Sequence, residues 1–310
     1  MPKTLDSSPS ILPLYARAAL PMIPGAGRLP FVPGGGGEIP DGLDLELSGV
    51  VARPEDVAAY ARVCGFAFRD TLPPTYPHML AFPLHMAVMS DGRFPFGAVG
   101  LVHVSNAIAH KRPIGIGEEM TIRVGPTKLQ PHPKGRTFSL QTEVLVDGEV
   151  VWESVSTMLR RGRGDEEAKQ EKGFDALPAD TPASAEWKLD GGLGRRYGGV
   201  SGDRNPIHMH SLTAKPLGFP SAIAHGMWTK ARALAQLESR LPDGFEVEVR
   251  FRKPILLPAK VEFASAEQGE EILFAVRDAR KGTPHLDGRV QRLKAGSRSK
   301  TAKTGRNKTK

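Results

Sequence analysis

The chain has 310 residues, 40% of them apolar, enough for two ordinary domains with real cores and too apolar for a disordered chain. No apolar run reaches the ~18 residues of a membrane span. The single cysteine, Cys64, excludes an internal disulfide and fits a reducing cytoplasm, the expected location. The net charge of +8 is local: residues 292–310 hold eight Lys or Arg and no Asp or Glu, and the rest balances at 34 basic against 34 acidic. Such a stretch reads as a solvated basic tail, so no nucleic-acid partner is expected.

In chain order, residues 1–45 read as a leader, with Gly34, Gly35, Gly36 and Gly37 among prolines. Residues 12–23 are moderately apolar, but Arg17 and the prolines break the pattern of a secretory signal. A first domain is expected over 46–160. Within it Phe138, Leu140, Thr142, Val144 and Val146 alternate with more polar neighbours, then Asp147-Gly148 precedes a second apolar run to Leu159. That is the pattern of a β-hairpin. Residues 161–185 are charged and then rich in Pro and Ala, as a linker would be. A second domain is expected over 186–293, leaving 294–310 as a disordered basic tail.

In that second domain Met227, Ala231, Leu234, Leu237 and Leu241 recur at helical spacing, predicting a helix over 224–241. Phe245, Val247, Val249 and Phe251 then alternate with Glu246, Glu248 and Arg250, a half-buried strand. One apolar stripe and one apolar face are buried together most simply by laying the helix on a curved antiparallel sheet, an α+β arrangement.

The two halves look like copies. Arg112-Pro113-Ile114 matches Lys253-Pro254-Ile255 at an offset of 141, with Met86 and Met227 each 27 residues before the proline. Tyr60–Gly65 matches Tyr197–Gly202 at an offset of 137, and Asp147-Gly148 resembles Asp287-Gly288. In this alignment Phe66 replaces Asp203 and Thr71 or a neighbour replaces His208. Chemistry is therefore expected in the second half alone. The apolar run at 79–89 is expected to line a cavity in the first half.

Residues 197–208 read Tyr-Gly-Gly-Val-Ser-Gly-Asp-Arg-Asn-Pro-Ile-His. Gly202 permits a tight turn, and Pro206 holds Asn205 extended, so a shaped loop is expected in which Asp203 and His208 converge. A carboxylate beside an imidazole can hold one water and exchange its protons. Outside any larger pattern, both side chains could equally be loop-stabilising. Downstream, His225-Gly226-Met227 opens the helix, where a backbone N–H can bind a carbonyl oxygen gaining charge. His225 is more often structural than catalytic in such a place. His208 and His210 with Asp203 do not make a convincing zinc set, and no metal is expected.

The ordered pattern Tyr-x-x-Val-Ser-Gly-Asp-x-Asn-Pro-Ile-His, followed by Gly218-Phe219-Pro220 and Ala224-His225-Gly226-Met227, resembles the MaoC-like, (R)-specific enoyl-thioester hydratases. The duplicated layout further resembles the actinobacterial 3-hydroxyacyl-thioester dehydratases. The resemblance implies a double hotdog: two tandem units, each a long helix wrapped by a curved antiparallel sheet. It implies Asp203 and His208 as the catalytic pair and the Gly226 amide as carbonyl donor. Tyr197, Ser201, Asn205, His225 and Met227 would contact or shape the substrate site. Arg252 and Lys253 would meet the phosphates of coenzyme A or a phosphopantetheine arm, unless they are simply solvated. The implied substrate is an acyl-CoA or acyl carrier protein thioester, no cofactor is needed, and a homodimer is compatible with the fold. After His208 the chain departs from the family's usual x-Asn/Asp-Pro, with Met209-His210-Ser211 instead. Two rivals remain at this level: an acyl thioesterase, disfavoured because Lys230, Arg232 and Glu238 put no carboxylate early in the helix, and a catalytically silent acyl-thioester-binding hotdog.

Overall fold

The computed structural model describes residues 2–19, 34, 36–98, 100–168 and 173–293. Most of the expected Gly/Pro-rich stretch before residue 34 and the whole basic tail lie outside the described residues. The chain opens with β1 (Lys3–Leu5) and α1 (Ile11–Ala19), followed by β2 (Leu45–Val50), α2 (Pro54–Cys64) and α3 (Tyr76–Met89). Then come β3 (Leu101–His110), β4 (Met120–Pro126), β5 (Gln130–His132), β6 (Gly135–Val146) and β7 (Glu149–Arg161). The second half follows as β8 (Ala185–Leu189), α4 (Leu193–Ser201), α5 (Pro206–Met209), α6 (Ser211–Ala214) and α7 (Gly226–Gln236). It ends in β9 (Phe245–Phe251), β10 (Ala259–Gln268), β11 (Glu271–Asp278) and β12 (Pro284–Arg292).

These strands form one twelve-stranded sheet in the order β1-β2-β4-β6-β7-β3-β9-β12-β11-β10-β8, with β5 added beside β6. Read inward from each end, β2-β4-β6-β7-β3 and β8-β10-β11-β12-β9 have the same connectivity. The duplication expected from the sequence is thus written in the sheet. The copies join where β3 pairs antiparallel with β9, Ile108 opposite Val247. Each half wraps a central helix, α3 or α7, and the fold is a double hotdog. Helix α3 reads Tyr-Pro-His-Met-Leu-Ala-Phe-Pro-Leu-His-Met-Ala-Val-Met and carries no Asp, Glu, Lys or Arg; a helix apolar on nearly all sides must be enclosed. The predicted hairpin is present, with Asp147 (φ 50°) and Gly148 (φ 78°) both in the left-handed region that a two-residue turn requires.

At the seam, the Lys230 side chain of α7 is fully buried. Its Nζ donates to the Asn106 backbone oxygen at 3.1 Å, to Asn106 Oδ1 at 2.5 Å and to the Val247 carbonyl at 3.2 Å. Three donors meet three oxygens, as a buried ammonium needs.

Five expectations need correction. The predicted helix over 224–241 is shorter, running Gly226–Gln236 and then a 3-10 turn at Glu238–Arg240. Residues 197–201 are not loop: they form the end of α4, because Leu193, Tyr197 and Ser201 share one buried face at helical spacing. The Asp147/Asp287 match is coincidence, since the first lies in a hairpin turn and the second inside β12. The repeat itself holds at its ends. Gly65 and Gly202 both cap helices in the left-handed conformation, and Leu72 donates to the Ile114 carbonyl as Ala224 does to Ile255. Between those anchors the copies differ in length, with seven residues from Gly65 to Leu72 and 22 from Gly202 to Ala224. Thr71 pairs with Gly115 as Ile223 pairs with Leu256, so Thr71 is the counterpart of Ile223 and not of His208. The first half did not replace the imidazole; it lacks the segment that carries it. By the same anchors Met86, in the third turn of α3, is no counterpart of Met227 in the first turn of α7.

Candidate active site

The segment between α4 and α7 folds back onto α4 because two glycines there leave room. A Cβ on Gly194 would lie 1.9 Å from the His208 carbonyl oxygen, and one on Gly198 would lie 2.8 Å from the Asp203 carbonyl oxygen. Any side chain at either position would push the returning backbone away. Asn205 then caps α5 by accepting from the Ile207 amide at 3.3 Å, and Pro206 starts that turn. Asp203 and His208 thus leave opposite ends of one short bend.

The side chains of Asp203, His208 and His225 each offer a ligand-type atom within 4.8 Å of the others. His208 is buried, with Nδ1 at 2.8 Å from the Ile223 carbonyl oxygen. A carbonyl only accepts, so Nδ1 carries the proton and Nε2 keeps a free lone pair. Burial pulls the His208 pKa below its ordinary value despite the attraction of Asp203, leaving a neutral imidazole. The ring of His225 stacks on His208 with centroids 3.6 Å apart and donates from Nε2 to the Asp203 backbone oxygen at 2.9 Å. Burial holds His225 neutral as well, with a pKa down at about 3.

Asp203 remains a carboxylate. Burial acts to raise its pKa, but the neighbouring imidazoles, the Asn205 amide (3.1 Å) and the Tyr15 hydroxyl (2.9 Å) bring it below the usual value. Tyr15 also accepts from the Arg204 amide at 2.8 Å, so it clamps the bend from above. It belongs to α1, inside the segment that the sequence alone sets aside as leader. A lone tyrosine nearly 190 residues from the motif carries no pattern to link it there.

The ligand-type atoms of these three side chains lie close enough to share one water or ion. The two imidazoles stack at 24°, and each gives one ring nitrogen to a backbone carbonyl, which leaves the other free. His210 is exposed and caps α6 through the Leu212 amide, pointing away from any such set.

A cavity of about 450 Å³ opens beside these groups. Asp203, Asn205, His208, His225, Gly226, Met227 and Tyr197 all line it, as do Arg252 and Lys253. Ser201 does not: it is buried, and its hydroxyl accepts from the Asp203 amide at 3.1 Å, which makes it a support for the bend. Tyr197 reaches Met79 Sδ at 3.2 Å across the two halves. Arg252 is held by Asp287 at 2.5 Å, whereas Lys253 is exposed. Gly226 is the first residue of α7, and a Cβ there would lie 2.9 Å from the Phe251 ring. From Asp203 and His208 the cavity extends into the first half along Met79, Phe82, Met86, Met89, Leu140 and Met158. Val88 is buried but does not line it.

Residues 181–288 match the family model described as MaoC like domain. Over 278 residues, 90% of this chain and 95% of the relative, the sequence is 37% identical to 3-hydroxyacyl-thioester dehydratase X of Mycobacterium tuberculosis. The chain belongs to the MaoC-like dehydratase family. The crystal structure of HtdX from M. tuberculosis superposes with a TM-score of 0.72 at 36% identity, covering 81% of this chain and all of that one. A MaoC-like dehydratase from Phytophthora capsici shares the fold, with a TM-score of 0.64 over 81% of this chain and 95% of that one at 19% identity. Among MaoC-like features legible in the sequence, the bend at 202–208 and the Gly226 helix start come together in space as expected. Tyr15 and the supporting part played by Ser201 were not legible.

Proposed function

We propose that this MaoC-like chain is a hydro-lyase that interconverts (R)-3-hydroxyacyl and trans-2-enoyl thioesters, with Asp203 and His208 serving one water between them. The observation that carries the reading is the pairing of a bare His208 Nε2 with the Asp203 carboxylate at the wall of a long apolar cavity. In hydration, His208 Nε2 takes a proton from the water while its oxygen bonds to the β-carbon and the π electrons move onto the thioester oxygen. The imidazolium so formed is stabilised by the neighbouring Asp203 carboxylate. The developing oxyanion meets the Gly226 amide at the positive end of α7. The same proton then passes to the α-carbon and the carbonyl reforms. Dehydration is the reverse, with α-proton removal first and departure of the hydroxyl as water. Lys253 at the cavity mouth suits a phosphate of coenzyme A or a phosphopantetheine arm, and the Met-lined extension suits the acyl tail. A thioesterase reading lacks support, for α7 has no carboxylate anywhere along Gly226–Gln236.

The test follows the enoyl-thioester absorbance of crotonyl-CoA. Wild type is expected to hydrate it, and Asp203→Asn and His208→Ala to lose about 10²- to 10⁴-fold in kcat with unchanged circular dichroism. Release of free thiol in place of hydration, or full activity in both variants, would overturn the reading.

A further inference from the structure

The cavity that would receive the acyl tail is not uniformly apolar. His78 and His85 of α3 and His103 of β3 stand in its wall among the methionines. Their rings form one patch: His78 and His85 have centroids 5.0 Å apart, and His78 and His103 are nearly parallel at 6.5 Å. His85 Nε2 is satisfied by Thr142 Oγ1 at 2.8 Å. His78 Nδ1 and His103 Nε2 are buried with no hydrogen-bond partner. Burial keeps all three imidazoles neutral at pH 7, so each has one N–H donor and one bare nitrogen. The nearby Lys230 cannot serve them, because its three donors are already taken at the seam.

A wall meant only for methylenes would be built of Leu, Met and Phe, as the neighbouring stretch along Met79, Phe82, Met86, Met89, Leu140 and Met158 is. Unpaired ring nitrogens there forfeit hydration and gain nothing from an alkyl chain. An oxygen on the chain changes that balance, since a hydroxyl can meet both a donor and a bare nitrogen and a keto oxygen can accept from the donor. The patch also lies near the reacting end. The His103 ring is 4.8 Å from that of Phe251, and Phe251 is the ring packed against Gly226.

We infer that the preferred acyl chain carries a second oxygen function, a hydroxyl or keto group, a few carbons beyond the reacting β-carbon, held by His78 and His103. The inference rests on the thioester reading above and deepens it.

Calorimetry with saturated, unreactive medium-chain acyl-CoAs tests it, comparing a plain chain with one bearing a mid-chain hydroxyl or keto group. Wild type is expected to bind the oxygenated chain about tenfold more tightly. His78→Phe and His103→Phe should erase that advantage, whereas His103→Gln, which keeps hydrogen-bonding groups, should retain part of it. Equal or weaker binding of the oxygenated chain by wild type overturns the inference and leaves only water to meet these rings. An advantage that survives both Phe substitutions overturns it too. If wild type hydrates crotonyl-CoA yet shows no preference, the inference alone has failed. If it neither hydrates crotonyl-CoA nor binds either chain, the thioester reading has failed with it.

Discussion

Asp203 owes its charge at the site to neighbours that outweigh its burial, and Tyr15 is the one that reaches it from farthest along the chain. The Tyr15 hydroxyl, itself pushed to a high pKa by burial and by Asp203, stays protonated and donates. Donation to a carboxylate lowers the carboxylate's pKa. In Tyr15→Phe the Asp203 pKa should therefore rise, and the acid limb of the kcat profile should move to higher pH. A several-fold loss of kcat at neutral pH is expected with little change in KM. The measurement is a pH–rate profile of both proteins, and an unmoved acid limb would reduce Tyr15 to packing. His208 sets a companion expectation. Its lowered pKa keeps the base neutral to pH values below ~6.5, the ordinary imidazole value, so the activity should persist there until His208 or Asp203 protonates.

At the scale of elements, the bend at 202–208 depends on the bare face of α4. A methyl group at Gly194 would press on the His208 backbone oxygen, which has no flexible side chain to yield. Gly194→Ala should cost about 1 to 3 kcal/mol by overpacking and lower kcat more than its loss of stability explains; chemical denaturation beside steady-state kinetics separates the two. The cavity makes a second claim. Met86 lines the extension into the first half, so Met86→Trp should depress kcat/KM for long acyl chains by about tenfold or more and spare crotonyl-CoA. Chain-length profiles of the two proteins decide it. These elements also show what could be read from sequence. The hairpin at Asp147-Gly148 and strand β9 were legible because alternation and turn chemistry are local signals. Asp203 and His208 were legible because they lie five residues apart in a dense motif. Helix α4 was not, because Gly194, Gly198 and Gly199 depress its helix propensity while long-range contact with the bend explains why two of them are there. The missing segment in the first half was hidden for a related reason: an ungapped comparison aligns Thr71 with His208, and only the shared backbone pairing reveals the gap.

Across the whole molecule, burial has neutralised an unusual number of histidines. His85 and His225 have pKa values near 3, and His103 and His110 near 4. In the unfolded chain each would titrate near ~6.5. Below that value the unfolded state binds protons that the folded state refuses, so stability is complete above pH ~6.5 and falls as pH drops toward 4. Thermal melts between pH 7.5 and 4 should show Tm declining steadily through this window, and a flat Tm would mean that these rings are hydrated after all. The seam adds a constraint of a different kind. Two of the three oxygens around Lys230 belong to Asn106 on β3, and β3 also covers the edge of β9. A chain cut down to its chemically equipped half would strand a desolvated cation and bare a sticky strand. The copy that lacks counterparts of Asp203 and His208 is therefore indispensable to the one that carries them.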